Sequence, residues 1–283
     1  MRQRIVTLHG FVLVFTLGLA LAHGRAHAGD AEFFFYSPQV GTGNLSQLKQ
    51  TADQFFRDAR VDLKFQPFAR FEDLQREFPR RKPAFLMVPD WAAGNQCLGT
   101  RLIRVARPVR EGRLFDRRAL VATGAAHSPA DMAGGSIAAT VPTTTGGDII
   151  DPIEQFRIEN PGVRIIPVPK DIDALLAVGF GQVDGAFVSM TQFDMLTDVN
   201  PALTGSLHEI GYSVATPFPA TYATEYADPE MIGRLRQALT NEAMKDSGRR
   251  LSGLLGYDGW RSDTSAGSMI SPRSCDAEAG VPK

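Results

Sequence analysis

The sequence has little of what usually announces catalysis or metal binding. Its 283 residues include two cysteines, Cys97 and Cys275, and no CxxC spacing, which excludes a paired-cysteine zinc module and a disulfide-dense scaffold. Of five histidines, three lie at 9, 23 and 27, and the remaining His127 and His208 form neither HExxH nor another metal-spaced pair. The motifs GxSxG, GxxxxGK(S/T) and GxGxxG are absent, so no nucleophile elbow, phosphate loop or dinucleotide fingerprint is present. Charge of one sign is lacking too. With 30 Lys+Arg against 31 Asp+Glu, the formal charge of −1 removes the electrostatic footprint of a nucleic-acid binder. Long apolar runs are missing beyond residues 11–22, and that run falls short of the ~20 residues needed to cross a bilayer.

What is present is an ordinary globular composition, 43% hydrophobic and 22% charged, long enough for one large or two modest domains. The N-terminal end reads as an export signal. Arg2 and Arg4 precede the apolar run, and Ala26-His27-Ala28 supplies the small-x-small pattern of a signal peptidase site. A signal peptide over 1–28 is therefore expected, with no lipoprotein anchor because no cysteine follows the run. Residues 1–28 hold three Arg and no acid, so 27 basic and 31 acidic residues remain, a formal charge of −4. The mature chain is expected to be soluble in the periplasm. In that oxidising compartment the two cysteines form one bridge or two buried thiols, and the expectation adopted is a Cys97–Cys275 disulfide.

Behind the signal, short apolar runs alternate with amphipathic segments. A strand over 33–36 is followed by Leu45, Leu48, Ala52, Phe55, Phe56 and Ala59 at helical spacing, then an alternating strand over 61–65. A helix over 71–78 and a buried strand over 84–88 complete a β-α-β-α-β opening. Between 103 and 123 two extended runs flank Gly112-Arg113 without a helix. A second series follows: strand 136–141, helix 147–159, strand 163–167, helix 171–179, strand 183–188 and a helix from Met190. A further extended stretch, 207–222, leads to two helices, the first with Asp228 as N-cap and Pro229 at its first position. The Gly/Ser-rich tail after Gly259 reads as loop. The pattern predicts an α/β protein of two lobes, each a mixed sheet flanked by helices, joined by two hinge strands. Lobe 1 is expected to take 29–112 and 223–283, and lobe 2 113–222. A ligand would sit between them, where strand ends and helix N-termini face each other.

The most informative stretch runs from Asp131 to Gly147: strand, hydroxyl-rich turn, then glycines opening a helix. Backbone N–H groups at a helix start, beside clustered hydroxyls, suit a phosphate or carboxylate. A simple helix cap built from threonine is the plainer alternative. This stretch resembles the D-L-x-G-K-x-x-A-x-x-x-P-x-S-x-S-G segment of the phosphate/phosphonate substrate-binding proteins of bacterial ABC transporters. Residues 173–186 are similar to that family's helix-to-strand segment with the pattern A-V-x-x-G-x-V-D-x-x.

The resemblance, spanning roughly 32–260, implies a type II periplasmic-binding fold. It implies a monomeric periplasmic solute-binding protein that captures a phosphate-, phosphonate- or related oxyanion-bearing solute. Delivery would be to an inner-membrane ABC permease, with no cofactor, no metal, no catalysis and no nucleic acid.

It assigns Thr143, Thr144, Thr145 and Gly146 to the oxyanion, with Ser37 and Gln39 after the first strand and Asp90 and Trp91 after the third. Lys170 could add a charge-assisted donor or be a solvated lysine. Trp91 could wall the cleft or belong to the core. Ser189 stands near where relatives that bind aminoalkylphosphonates place an acid. Asp184 reads as structural, and Arg80-Arg81-Lys82 as a solvated basic loop. A sensory or accessory role in the same fold is the second reading, and a pyrimidine-precursor enzyme of similar fold the third.

Overall fold

The computed structural model describes residues 31–38, 45–94, 98, 101–124, 126–140, 152–212, 215–241, 246–262 and 269–270. The expected signal peptide, Gln39, Cys97, Thr143 to Gly146 and Cys275 lie outside these residues.

The chain opens with β1 (Ala31–Tyr36), α1 (Leu45–Asp58), β2 (Leu63–Phe68), α2 (Phe71–Arg81), β3 (Phe85–Val88) and the short α3 (Asp90–Ala93). The helical stripe read in the sequence is the buried face of α1: Leu48, Ala52, Phe55 and Phe56 all point into the core. β4 (Leu102–Val109), β5 (Phe115–Asp116) and β6 (Arg118–Ala122) form the outward extended passage. Glu111 and Gly112 both take positive φ, 49° and 73°, in the tight turn that pairs Arg110 with Arg113. The second series is β7 (Ser136–Ala139), α4 (Pro152–Glu159), β8 (Arg164–Pro167), α5 (Asp171–Gly179), β9 (Gly185–Ser189), α6 (Met190–Val199) and α7 (Pro201–Thr204). The return passage is β10 (His208–Tyr212), β11 (Thr216–Pro217) and β12 (Ala220–Ala223). Then come α8 (Pro229–Thr240), α9 (Asp246–Leu254), β13 (Gly259–Ser262) and β14 (Met269–Ile270). Asp228 caps α8 as the sequence predicts, accepting from the N–H groups of Glu230 and Met231.

Two mixed sheets result. The first has the order β13-β4-β12-β3-β1-β2, with β14 also on β4; the second is β10-β6-β9-β7-β8. The paired β5 and β11 form a separate two-stranded ladder where the chain passes between the sheets. Alternation along each strand divides the core by sheet face. Phe33, Phe35 and Phe85 pack under α1, α8 and α9, whereas Phe34, Tyr36 and Leu86 pack with α2. In the second sheet Val121, Ala138 and Val188 face α5 and α6, and Leu120, Ile137 and Phe187 face α4. Helices on both faces explain why the parallel strands read as continuous apolar runs.

Two sequence expectations are corrected. The tail after Gly259 is not all loop: it returns to the first sheet as β13 and β14, both antiparallel to β4. Trp260 anchors it, buried to 9% exposure with its indole N–H donating to Ser252 Oγ at 2.9 Å. Arg80 and Arg81 belong to the last turn of α2 rather than to a loop, with Lys82 in the left-handed C-cap position. Arg81 pairs with Glu32 through Nε at 2.7 Å.

Candidate functional site

The parallel strands β1 and β3 of the first sheet, and β9 of the second, run so that their C-terminal ends converge on one cavity. Ser37 follows β1, Pro89 follows β3 and Ser189 ends β9, and all three line it. Strand C-termini in open α/β sheets leave crevices of this kind because the helices that follow turn away to either face. The cavity holds about 270 Å³. Trp91, Phe218 and Tyr257 supply aromatic wall, while Arg110, Asp116 and Arg118 bring charge.

The charged groups are organised by the crossing passages. Arg110, at the end of β4, reaches over to donate to Thr191 Oγ1 at the start of α6. Asp116 in β5 accepts from Ser189 Oγ and from the Arg117 N–H, both at 2.9 Å. Burial pushes the Asp116 carboxyl above the ordinary aspartate value, against the opposing pull of these hydrogen bonds and of Arg110 and Arg118. Beneath it, Asp171 is 1% exposed and accepts from Arg118 Nη2 at 2.8 Å, the Ser189 N–H at 2.9 Å and Thr140 Oγ1. Arg118 also donates to the Phe187 carbonyl at 2.8 Å. Burial, then the neighbouring Asp116 charge, raises the Tyr257 hydroxyl pKa, so Tyr257 is a neutral hydrogen-bonding group there.

Of the residues singled out in the sequence, Ser37, Trp91 and Ser189 meet in this cavity. Trp91 is half-buried, set edge-on to Phe71 and Tyr36 at centroid distances of 5.1 and 6.1 Å, so it belongs to both the core and the wall. Asp90 is committed to the framework: its carboxylate takes Arg107 Nη2 at 2.8 and 3.0 Å and the Tyr222 hydroxyl at 2.6 Å. That knot ties α3 to β4 and β12 directly below the wall. Lys170 is half-buried at the N-cap of α5 and is not among the residues that line the cavity. Thr143, Thr144, Thr145, Gly146 and Gln39 lie outside the described residues.

Sequence reading missed Arg110, Asp116 and Arg118. A signal did exist: seven arginines fall between 101 and 118. Their individual roles depend on partners far along the chain.

The motif over 177–186 has a structural explanation. Gly181 sits at φ 67°, and a Cβ on Gly185 would approach the Val121 carbonyl oxygen to 3.0 Å. Asp184 accepts from the Ser136 N–H at 2.7 Å and its Oγ at 2.9 Å, closing the turn into β9. These bonds hold its carboxyl below the ordinary range. Among the described residues no His, Cys, Asp and Glu group could hold a metal, and no helix is long and apolar enough to cross a membrane.

Comparison with known proteins places this geometry. Among solved structures, PhnD1 of Prochlorococcus marinus, in complex with methylphosphonate, superposes with a TM-score of 0.67 at 11% identity, over 84% of this chain and 94% of its own. The binding-protein component of an ABC phosphonate transporter from Pseudomonas aeruginosa gives 0.62 at 15% identity, over 82% and 80%. XAC2383 of Xanthomonas citri, bound to ATP, gives 0.62 at 14%, over 82% and 90%. The fold is thus the two-lobed type II periplasmic-binding architecture that the sequence predicts. No curated protein matches the sequence. The family model described as the phosphonate periplasmic substrate-binding protein of ABC transporters matches residues 97–266, more than half of the chain. This chain therefore belongs to the phosphonate substrate-binding family of ABC transporters.

Proposed function

We propose that this protein captures a small phosphonate or related oxyanion in the cavity between its two sheets and passes it to an ABC permease. The observation that carries the reading is the cavity where β1, β3 and β9 end, with two guanidinium groups, Arg110 and Arg118, on its wall. A guanidinium has five N–H donors in a fixed fork matched to oxyanions. Arg110 spends one on Thr191 and can turn others to a ligand. Ser37, Trp91 and Ser189 would complete the inner wall. Thr143, Thr144, Thr145 and Gly146, following β7, would grip the oxyanion, with Gln39 and Lys170 as outer donors and Asp90 holding the framework.

The lobes would be 29–112 with 223–283, and 113–222, as read from the sequence. Export by a signal peptide over 1–28, a Cys97–Cys275 bridge, a monomeric state and a role without catalysis or nucleic acid complete the proposal. A thermal-shift screen of the chain from Gly29 against phosphate, phosphonates, sulfate and small carboxylates tests it, because a ligand that binds only the folded state raises its melting temperature. A rise with phosphonates supports the reading. Stabilisation by none of these oxyanions contradicts it. A gene neighbourhood holding a permease and an ATPase would favour import over a sensory role.

A further inference from the structure

The cavity's own chemistry says more about the solute than that it is an oxyanion. Each charged side chain on its wall already has a partner in the fold: Asp171 with Arg118, Asp116 with Ser189 and the Arg117 N–H, and Arg110 with Thr191. Two acids therefore offset two guanidinium groups, and the wall as a whole carries no excess of either sign. A small, highly charged ion would meet Asp116 as well as Arg110. The rest of the lining mixes neutral polar groups, Ser37, Ser189, Thr191, Gln192 and Thr216, with a larger carbon surface. Phe218 and Tyr257 form a T-shaped pair with centroids 5.2 Å apart, and Trp91, just after β3, lines the same space. Prolines continue this surface at 38, 89, 217 and 219. Volume agrees, since a cavity of about 150 Å³ admits a benzene ring. Some 270 Å³ leaves room for a ring and one compact anionic head.

We propose that the solute is an organophosphonate with an apolar substituent about the size of a phenyl ring, its head group at Arg110 and its substituent against Trp91, Phe218 and Tyr257. This rests on the phosphonate-binding reading above. On it, inorganic phosphate is a poor ligand because it leaves the aromatic wall unfilled. The carbon surface supplies selectivity among phosphonates, as burying each added CH₂-sized group strengthens binding roughly fourfold.

Calorimetric titration of the chain from Gly29 with phenylphosphonate, methylphosphonate, 2-aminoethylphosphonate and inorganic phosphate tests this. Phenylphosphonate is expected to bind at least tenfold more tightly than methylphosphonate, and phosphate most weakly. Equal or tighter binding of methylphosphonate or phosphate overturns the apolar assignment and leaves the phosphonate reading standing. Preference for 2-aminoethylphosphonate also overturns it, and hands Asp116 the ammonium. Failure of all four overturns both. Trp91→Ala should bring the phenylphosphonate-to-methylphosphonate affinity ratio down towards one, whereas a merely structural role would weaken both equally and leave the ratio unchanged. Since Trp91 also packs on Phe71, Tyr257→Leu gives a second variant with the same expected loss of selectivity, and an unchanged ratio in both overturns the assignment.

Discussion

Ser189 Oγ donates to Asp116 Oδ2 at 2.9 Å, joining the end of β9 in the second sheet to β5 in the crossing ladder. The bond helps hold a carboxylate in a place where burial disfavours its charge. An acid whose pKa is raised by folding keeps its proton longer in the folded chain than in the unfolded one. Stability is then full below the ordinary aspartate value of about 3.9 and is lost as pH rises through the raised value. Asp116→Asn retains an acceptor for Ser189 and cannot ionise. Its melting temperature relative to wild type is expected to increase as pH rises from about 4, measured by calorimetry across pH. Parallel curves would show that Asp116 carries no such penalty.

The Arg118–Asp171 pair should behave in the opposite sense to a surface ion pair. Asp171 is 1% exposed, so Arg118→Ala leaves a buried carboxylate with only neutral donors. Breaking such a pair costs about 3–5 kcal/mol. Adding Asp171→Asn to Arg118→Ala should recover part of that loss, because the buried charge goes with it. Chemical denaturation of the two variants measures the difference, and no recovery would contradict the account.

Trp260→Ala should cost about 3–5 kcal/mol, the usual range for deleting a buried tryptophan. The indole fills a site against α9 and β4, and its N–H satisfies Ser252. Urea unfolding checks this, and a change under about 1 kcal/mol would mean that the tail is peripheral to the first sheet.

That tail also marks where sequence reading stops. α1 and α8 are readable because their signals are local: an apolar stripe within one helix, and a cap and proline at adjacent positions. β13 has four residues, Gly259–Ser262, set among serines and glycines, and becomes a strand only by pairing with β4, some 150 residues earlier. The site divides the same way. Ser189 and Trp91 stand out because they follow apolar runs, so their place at strand ends can be inferred. Arg110, Asp116 and Arg118 lie in extended passages whose face and partners are set by the crossing between sheets. Asp90 shows what the resemblance leaves unread: it implied a ligand contact, and the partners Arg107 and Tyr222 come from strands that sequence order does not place beside it.

The threonines proposed to grip the oxyanion give a sharper division between binding and folding. Each hydrogen bond to a charged group is worth roughly 1.5–3 kcal/mol. Thr144→Ala combined with Thr145→Ala should therefore weaken oxyanion binding by about 10²-fold or more. Stability should fall by only about 1 kcal/mol, the cost of a lost cap. Titration and melting of the double variant separate the outcomes, and unchanged affinity with a lower melting temperature would make these threonines a cap alone.

On the proposed reading an oxyanion is held between the sheets by Arg110. Calorimetric titration of the chain from Gly29, as wild type and as Arg110→Ala, with methylphosphonate tests it most directly. Saturable one-to-one binding is expected of the wild type, weakened about tenfold or more by the loss of a charge-assisted donor. Arg110 bridges to Thr191 from a half-buried position, so the variant should remain folded. Affinity unchanged in a folded Arg110→Ala protein would contradict that reading.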